Sequence, residues 1–157
     1  MMTIVSDEVT IEVAATPERV WSLVSDVTRM GEWSPLCTRC EWLGESTEPQ
    51  VGNRFIGFNR QSGVRSSREC IITASDPGRE FAFNTLFRGN VSNRWRYRFE
   101  SILGGTRVVE SYEVLVMPRW VRAIRCLPGM IGRSRRDARH GMQVTLNHLK
   151  AAAERNP

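Results

Sequence analysis

Trp95-Arg96-Tyr97-Arg98-Phe99-Glu100-Ser101-Ile102-Leu103-Gly104-Gly105-Thr106-Arg107-Val108-Val109-Glu110-Ser111-Tyr112 is the stretch from which the fold can be read. Its first half alternates aromatic and charged residues, the period-two pattern of a strand with one buried face. The second half alternates again, and Gly104-Gly105 between them predicts a tight hairpin, because both glycines tolerate positive φ. Trp95, Tyr97 and Phe99 take one face, and Arg94, Arg96, Arg98 and Glu100 the other. On the returning strand Val108, Glu110, Tyr112, Val114 and Val116 form the more apolar set, which sends Glu110 to the buried side. A carboxylate there must be paired or lie in a wet cavity.

Outward from this hairpin the same alternation recurs in runs near 37–43, 53–60, 65–75, 80–87, 92–102 and 106–117, punctuated by Gln61-Ser62-Gly63 and Asp76-Pro77-Gly78. With Val9–Val13 they predict about seven strands in an antiparallel meander. Phe81, Phe83, Thr85 and Phe87 share a face in their run. Between the first two strands, Thr16-Pro17-Glu18 supplies an N-cap and a proline at the first helical position, with Val20, Trp21, Leu23 and Val24 as the apolar stripe. Asp26 to Trp33 predicts a second short helix, stopped at Ser34-Pro35. After Pro118 the period turns helical, first in a short segment and then in a long terminal helix over about 131–153. Ala138, Met142, Leu146, Leu149 and Ala153 form its apolar stripe. The fold class is α+β, a curved antiparallel sheet of about seven strands wrapped around a long C-terminal helix. Such an arrangement tends to leave a cavity.

The 157 residues suit one domain spanning 1–157. Hydrophobic residues at 41% and charged ones at 25% are globular values, which excludes a disordered chain. No apolar run approaches the roughly 18 residues of a membrane span, and Met1–Glu8 does not read as a secretory signal, so a cytoplasmic protein is expected. Every basic residue except Lys150 is arginine, and seven arginines against one acid lie between Arg119 and Arg139. An anionic partner would meet that segment, which leaves a membrane- or RNA-interacting protein acting through 119–139 as an alternative function.

The order of elements, together with particular phrases, resembles the START-like superfamily of helix-grip folds, and within it the polyketide cyclase/dehydrase and lipid-transport group. The phrases are Ala15-Thr16-Pro17-Glu18-Arg19-Val20-Trp21, Asp26 to Trp33 leading to Ser34-Pro35, Val51-Gly52-Asn53-Arg54-Phe55, Gly105-Thr106-Arg107-Val108-Val109-Glu110-Ser111, and Gly141-Met142 with Thr145-Leu146-Asn147-His148-Leu149-Lys150. The resemblance covers about residues 7–154. It implies an internal cavity for a hydrophobic small molecule, such as a lipid, fatty acyl chain or polyketide. Because the superfamily reuses one container for many tasks, it implies no particular activity.

Phe58, Phe81, Phe83, Trp95, Tyr97, Phe99, Tyr112 and Met142 are the candidate ligand-lining residues, with ordinary core as the competing reading. Glu110 and Tyr112 are the candidate acid–base pair of a cyclase or dehydratase; alternatively Glu110 is a structural acid paired to an inward arginine. Cys37-Thr38-Arg39-Cys40 has the spacing of metal and redox motifs. It lacks a second such motif and a nearby histidine, and residues three apart on a regular strand face opposite ways, so neither metal nor redox chemistry is expected there, while Cys70 and Cys126 read as small core or rim residues. His140 and His148 fall off the terminal stripe and are read as surface residues. Nothing resembles a nucleotide-binding glycine loop, so no cofactor is expected. Arg94, Arg96 and Arg98 read as an outer ladder paired with acids, and their segregation from the aromatics argues against RNA. In the segment 118–127, Trp120, Val121, Ile124 and Leu127 face away from Arg119, Arg122 and Arg125. This is either a plain capping helix or a basic lid that touches an anionic membrane.

Overall fold

Thr16 begins the first helix as its composition predicts. Its Oγ1 accepts the Arg19 N–H at 3.3 Å, and α1, Pro17–Ser25, buries Val20, Leu23 and Val24. Asp26 then caps a 3₁₀ helix, Val27–Glu32, by accepting the Thr28 N–H at 3.2 Å. In the computed structural model, which describes residues 5–115 and 130–155, these helices sit between strands β1, Val5–Val13, and β2, Cys37–Trp42. The remaining strands are β3, Arg54–Gln61; β4, Val64–Asp76; β5, Glu80–Phe87; β6, Asn90–Ile102; and β7, Gly105–Val114. A long helix, α2, spans Met130–Arg155. The predicted segment 118–127, with Arg119, Arg122 and Arg125, lies outside the described residues.

All six strand pairings are antiparallel, in the order β1-β7-β6-β5-β4-β3-β2. The meander from β2 to β7 is thus closed on one side by β1, and the curved sheet holds α2 in its grip. Met142, Leu146, Leu149 and Ala153 of α2 are buried, in one core with Val9, Val13, Val20, Leu23, Trp33, Phe81, Phe83, Phe99 and Val108. Each of the larger side chains contributes about 1.5–3 kcal/mol by leaving water. Polar contacts set the helix position along the sheet: Glu154 Oε1 accepts the Ala14 N–H at 2.8 Å, and Arg139 pairs with Asp7 at 2.6 Å.

The β6–β7 turn lies one residue earlier than its glycines suggest. Ile102 pairs with Gly105, so Leu103 and Gly104 are the two central residues, and of the two glycines only Gly104 has positive φ, at +82°. Gly105 is needed for another reason. A Cβ there would come within 2.1 Å of the Val13 carbonyl oxygen, so this glycine allows the close approach of the β1 end to β7.

The arginines of β6 form the expected outer ladder. Arg94 pairs with Glu113 at 3.7 Å, Arg96 with Glu80 at 2.6 Å and Arg98 with Glu8 at 3.0 Å, while Arg107 reaches both Glu100 and Glu12. His140 is exposed, and so is His148, whose Nδ1 lies 3.1 Å from the Trp33 carbonyl oxygen.

Candidate functional site

Register builds the site in rows across the inner face of the sheet. Phe81, Tyr97, Glu110 and Val9 stand side by side on β5, β6, β7 and β1, and Phe83, Trp95, Tyr112 and Asp7 form the adjacent row. Phe99 and Val108 continue it on the other side. Phe81, Phe83, Tyr97, Phe99 and Met142 are buried, whereas Trp95 and Tyr112 are half-buried at one end. The rings of Trp95 and Tyr112 are 4.6 Å apart, and the Tyr112 hydroxyl donates to Asn93 Oδ1 at 3.2 Å.

Glu110 is the polar centre of this surface. It is 2% exposed, and its Oε1 accepts the Tyr97 hydroxyl at 2.8 Å. Oε2 is equally buried and has no hydrogen-bond partner among the described residues. Burial pushes the Glu110 carboxyl up to about 8, against which the Tyr97 hydrogen bond acts in the lowering direction. Tyr97 is itself driven well above the ordinary phenol range, first by burial and then by the adjacent Glu110 charge. Burial thus favours the protonated acid near pH 7, and with Oε1 accepting from tyrosine, Oε2 is the oxygen placed to hold that proton and offer it to the interior. Among the described residues no arginine is paired with it, and the partner it has is the Tyr97 hydroxyl.

The hydroxyl that reaches Glu110 is that of Tyr97, a residue expected only as ligand lining. Tyr112 keeps its place on the inner face one row away, with its hydroxyl turned to Asn93. Phe58 is corrected. On β3 it is Phe55 and Gly57 that are buried, with Phe58 alternating to the opposite face under the Arg39 guanidinium, 4.2 Å from the ring centroid. There it lines an outer groove of about 550 Å³ with Thr38, Arg39, Arg60 and Arg65. Phe55 takes the inner position, its ring edge-on to Phe83 at 5.2 Å and to Trp42 at 6.2 Å. Alternation alone could not settle this phase, since Phe55 on one face and Ile56 and Phe58 on the other are all apolar. The flanking Arg54 and Arg60, which share the face of Phe58, were the available signal.

A second correction concerns Cys37 and Cys40. They do not face opposite ways: both are buried, and their sulfurs lie 3.4 Å apart. Cys70 is a core thiol as expected. Among the described residues no group of three or more His, Cys, Asp or Glu is placed to hold a metal ion, and no helix is long and apolar enough to cross a membrane.

A seven-stranded antiparallel sheet gripping a terminal helix, with an aromatic inner face around one buried acid, defines an α+β protein of the helix-grip fold. The chain belongs to the polyketide cyclase/dehydrase and lipid transport family, which matches residues 5–154. No curated protein matches the sequence. Among solved structures it is similar to a Polyketide_cyc-like protein of Corynebacterium glutamicum, with 29% identity, a TM-score of 0.64, and 96% of this chain and 92% of that one covered. A START superfamily protein of Mycobacterium smegmatis has 16% identity and a TM-score of 0.73 over 96% and 97% of the two chains. The di-domain ARO/CYC StfQ from the steffimycin biosynthetic pathway has 16% identity and a TM-score of 0.76, with 96% of this chain matched to 51% of that one. The last two likenesses are of fold.

Proposed function

We propose that the protein binds or carries a hydrophobic small molecule of lipid, fatty acyl or polyketide type between the inner face of the sheet and α2. Phe81, Phe83, Trp95, Tyr97, Phe99, Tyr112 and Met142 line the ligand, and Glu110 orients it. The observation that carries this reading is Glu110 Oε2, a buried polar atom with no hydrogen-bond partner among the described residues, on a face built largely of aromatic and aliphatic side chains. An unsatisfied buried group costs about 1–3 kcal/mol, and a ligand carbonyl or hydroxyl accepting its proton would recover that. Apolar contact supplies the driving force at about 25 cal/mol per Å² before ordering costs. The test is native mass spectrometry and thermal shift across a panel of fatty acids, lipids and polyketide-like aromatics. Binding by wild type that weakens in Glu110→Leu for oxygenated ligands alone supports it; absence of binding across the panel overturns it.

A cyclase or dehydratase is the second reading, and the pKa of Glu110, raised by burial to about 8, favours it: such a group exchanges protons near neutral pH. Tyr97 rather than Tyr112 would be its partner. Conversion of a polyketide-like substrate that is lost in a folded Glu110→Gln variant supports catalysis, and conversion unchanged in that variant removes the proposed acid. Contact with an anionic membrane through Arg119, Arg122 and Arg125 is an accessory proposal that rests on sequence.

A further inference from the structure

Cys37 and Cys40 meet because the edge of the sheet is irregular. Continuing the ladder from Cys40 opposite Gly57 would place Cys37 opposite Arg60 on the outer face. Instead the register slips between Cys37 and Arg39, Cys37 falls opposite Asn59, and Thr38 is the extra residue of a β-bulge. The bulge turns Cys37 inward, to the face shared by Cys40, Gly57 and Phe55, while Arg39 goes outward onto Phe58. The sulfurs are 3.4 Å apart, and the two residues are 7% and 5% exposed. Gly57 beside them leaves room: a Cβ there would lie 3.5 Å from Cys40 Sγ and 3.8 Å from Cys37 Sγ. Cys70, by contrast, directs its sulfur to the Arg68 carbonyl.

We infer that Cys37 and Cys40 are a redox-active dithiol, oxidised to an intramolecular disulfide by hydrogen peroxide and restored by a small dithiol. A disulfide bond is about 2.05 Å long, so the sulfurs need to close by about 1.4 Å. Cys37 is the attacking sulfur. Its thiol is drawn below the ordinary thiol range chiefly by the contact with the Cys40 sulfur, whereas that same contact and burial push Cys40 far above. Cys37 first gives up its S–H proton, the thiolate attacks one peroxide oxygen and the O–O bond breaks, leaving a sulfenic acid on Cys37, while the departing hydroxide combines with the released proton and leaves as water. The Cys40 sulfur then attacks the resulting sulfenic acid, the S–O bond breaks, and the second water carries off the Cys40 proton. Two sulfurs have together lost two electrons, and one peroxide has gained them. Dithiothreitol reverses the change by two thiol–disulfide exchanges and ends as its own cyclic disulfide.

Arg39 lies between the cysteines, so trypsin separates Met30–Arg39 from Cys40–Arg54 unless a disulfide joins them. The full-length folded chain is treated with peroxide, its free thiols are alkylated in urea, and the digest is mapped without reductant. The expected product is that linked peptide pair, two hydrogens lighter than the sum of its parts and lost on adding dithiothreitol. Cys70→Ala leaves its yield unchanged, and Cys40→Ala abolishes it. In a glutathione redox buffer the pair should be at least about tenfold easier to oxidise in the folded chain than in the urea-unfolded chain. No linked pair in the folded chain, equal oxidation in urea, or a link to Cys70 or Cys126 instead overturns the inference. The wild-type map decides even if Cys40→Ala does not fold.

Discussion

Tyr97 donates its hydroxyl to Glu110 at 2.8 Å from the directly opposite position on the neighbouring strand, and both groups are sealed from water. The hairpin turn thus places a phenol against a carboxyl whose pKa burial raises to about 8. Displacing the pairing by two residues would keep both side chains on the inner face and bring Glu110 opposite Phe99, which has no hydroxyl to offer.

The pH dependence of stability should report this acid. Its folded pKa is raised to about 8 from an ordinary 4.5, so between those values the folded chain holds a proton that the unfolded chain has released. Stability therefore falls as pH rises through that window, by up to about 1.4 kcal/mol per pH unit, and levels off above it. Glu110→Gln removes this part of the slope, and Tyr97→Phe, which deletes the bond that lowers the carboxyl, moves the plateau to higher pH. Urea unfolding at intervals from pH 5 to about pH 9 measures it; parallel slopes in wild type and Glu110→Gln would exclude a buried neutral acid.

How far the site was legible follows from the same turn. Alternation alone put Glu110, Tyr97 and Tyr112 on one inner face, because face depends only on parity. Which of them touch depends on where the chain reverses. A turn centred on Gly104-Gly105 sets Tyr97 opposite Tyr112, and the actual turn at Leu103-Gly104 sets it opposite Glu110. Gly105 misled because it is a glycine for a non-local reason, the carbonyl of Val13, and no local pattern records that. The Cys37–Cys40 contact was hidden by a bulge, which breaks the period on which the reading relied. The order of elements, the terminal helix stripe and the outer arginine ladder were legible because each follows from an unbroken period.

Gly105→Ala should cost at least about 2 kcal/mol, since its methyl would collide with backbone that cannot move independently. Gly104→Ala, which meets nothing within 4 Å, should cost only the strain of a left-handed residue, about 1–2 kcal/mol. Chemical denaturation of the two variants checks the order, and a reversed order would return the turn to Gly104-Gly105.

Phe55→Ala and Phe58→Ala test the phase of β3. Phe55 is 1% exposed and packs on Trp42 and Phe83, so its truncation should cost about 3–5 kcal/mol. Phe58 loses its contact with Arg39 and part of an outer groove, for about 1 kcal/mol. Ligand binding should weaken in the first and persist in the second; the opposite result would place Phe58 in the interior.

Salt separates the interior from the basic segment. Arg94, Arg96 and Arg98 are each committed to an acid on the outer face, so they leave little free positive charge to attract an anionic surface. Exposed pairs of this kind contribute about 0.2–1 kcal/mol each, and Arg96→Gln should change stability by no more than that. Adhesion to vesicles containing phosphatidylserine should instead depend on Arg119, Arg122 and Arg125. Replacing all three with Gln should lower it, and raising salt from about 0.05 M to about 0.5 M should lower it steeply, because the screening length then falls well below 10 Å. Uptake of an uncharged apolar ligand should hardly respond to the same change in salt. Vesicle flotation beside a binding titration resolves the two, and vesicle adhesion that survives high salt would remove the electrostatic role assigned to the segment.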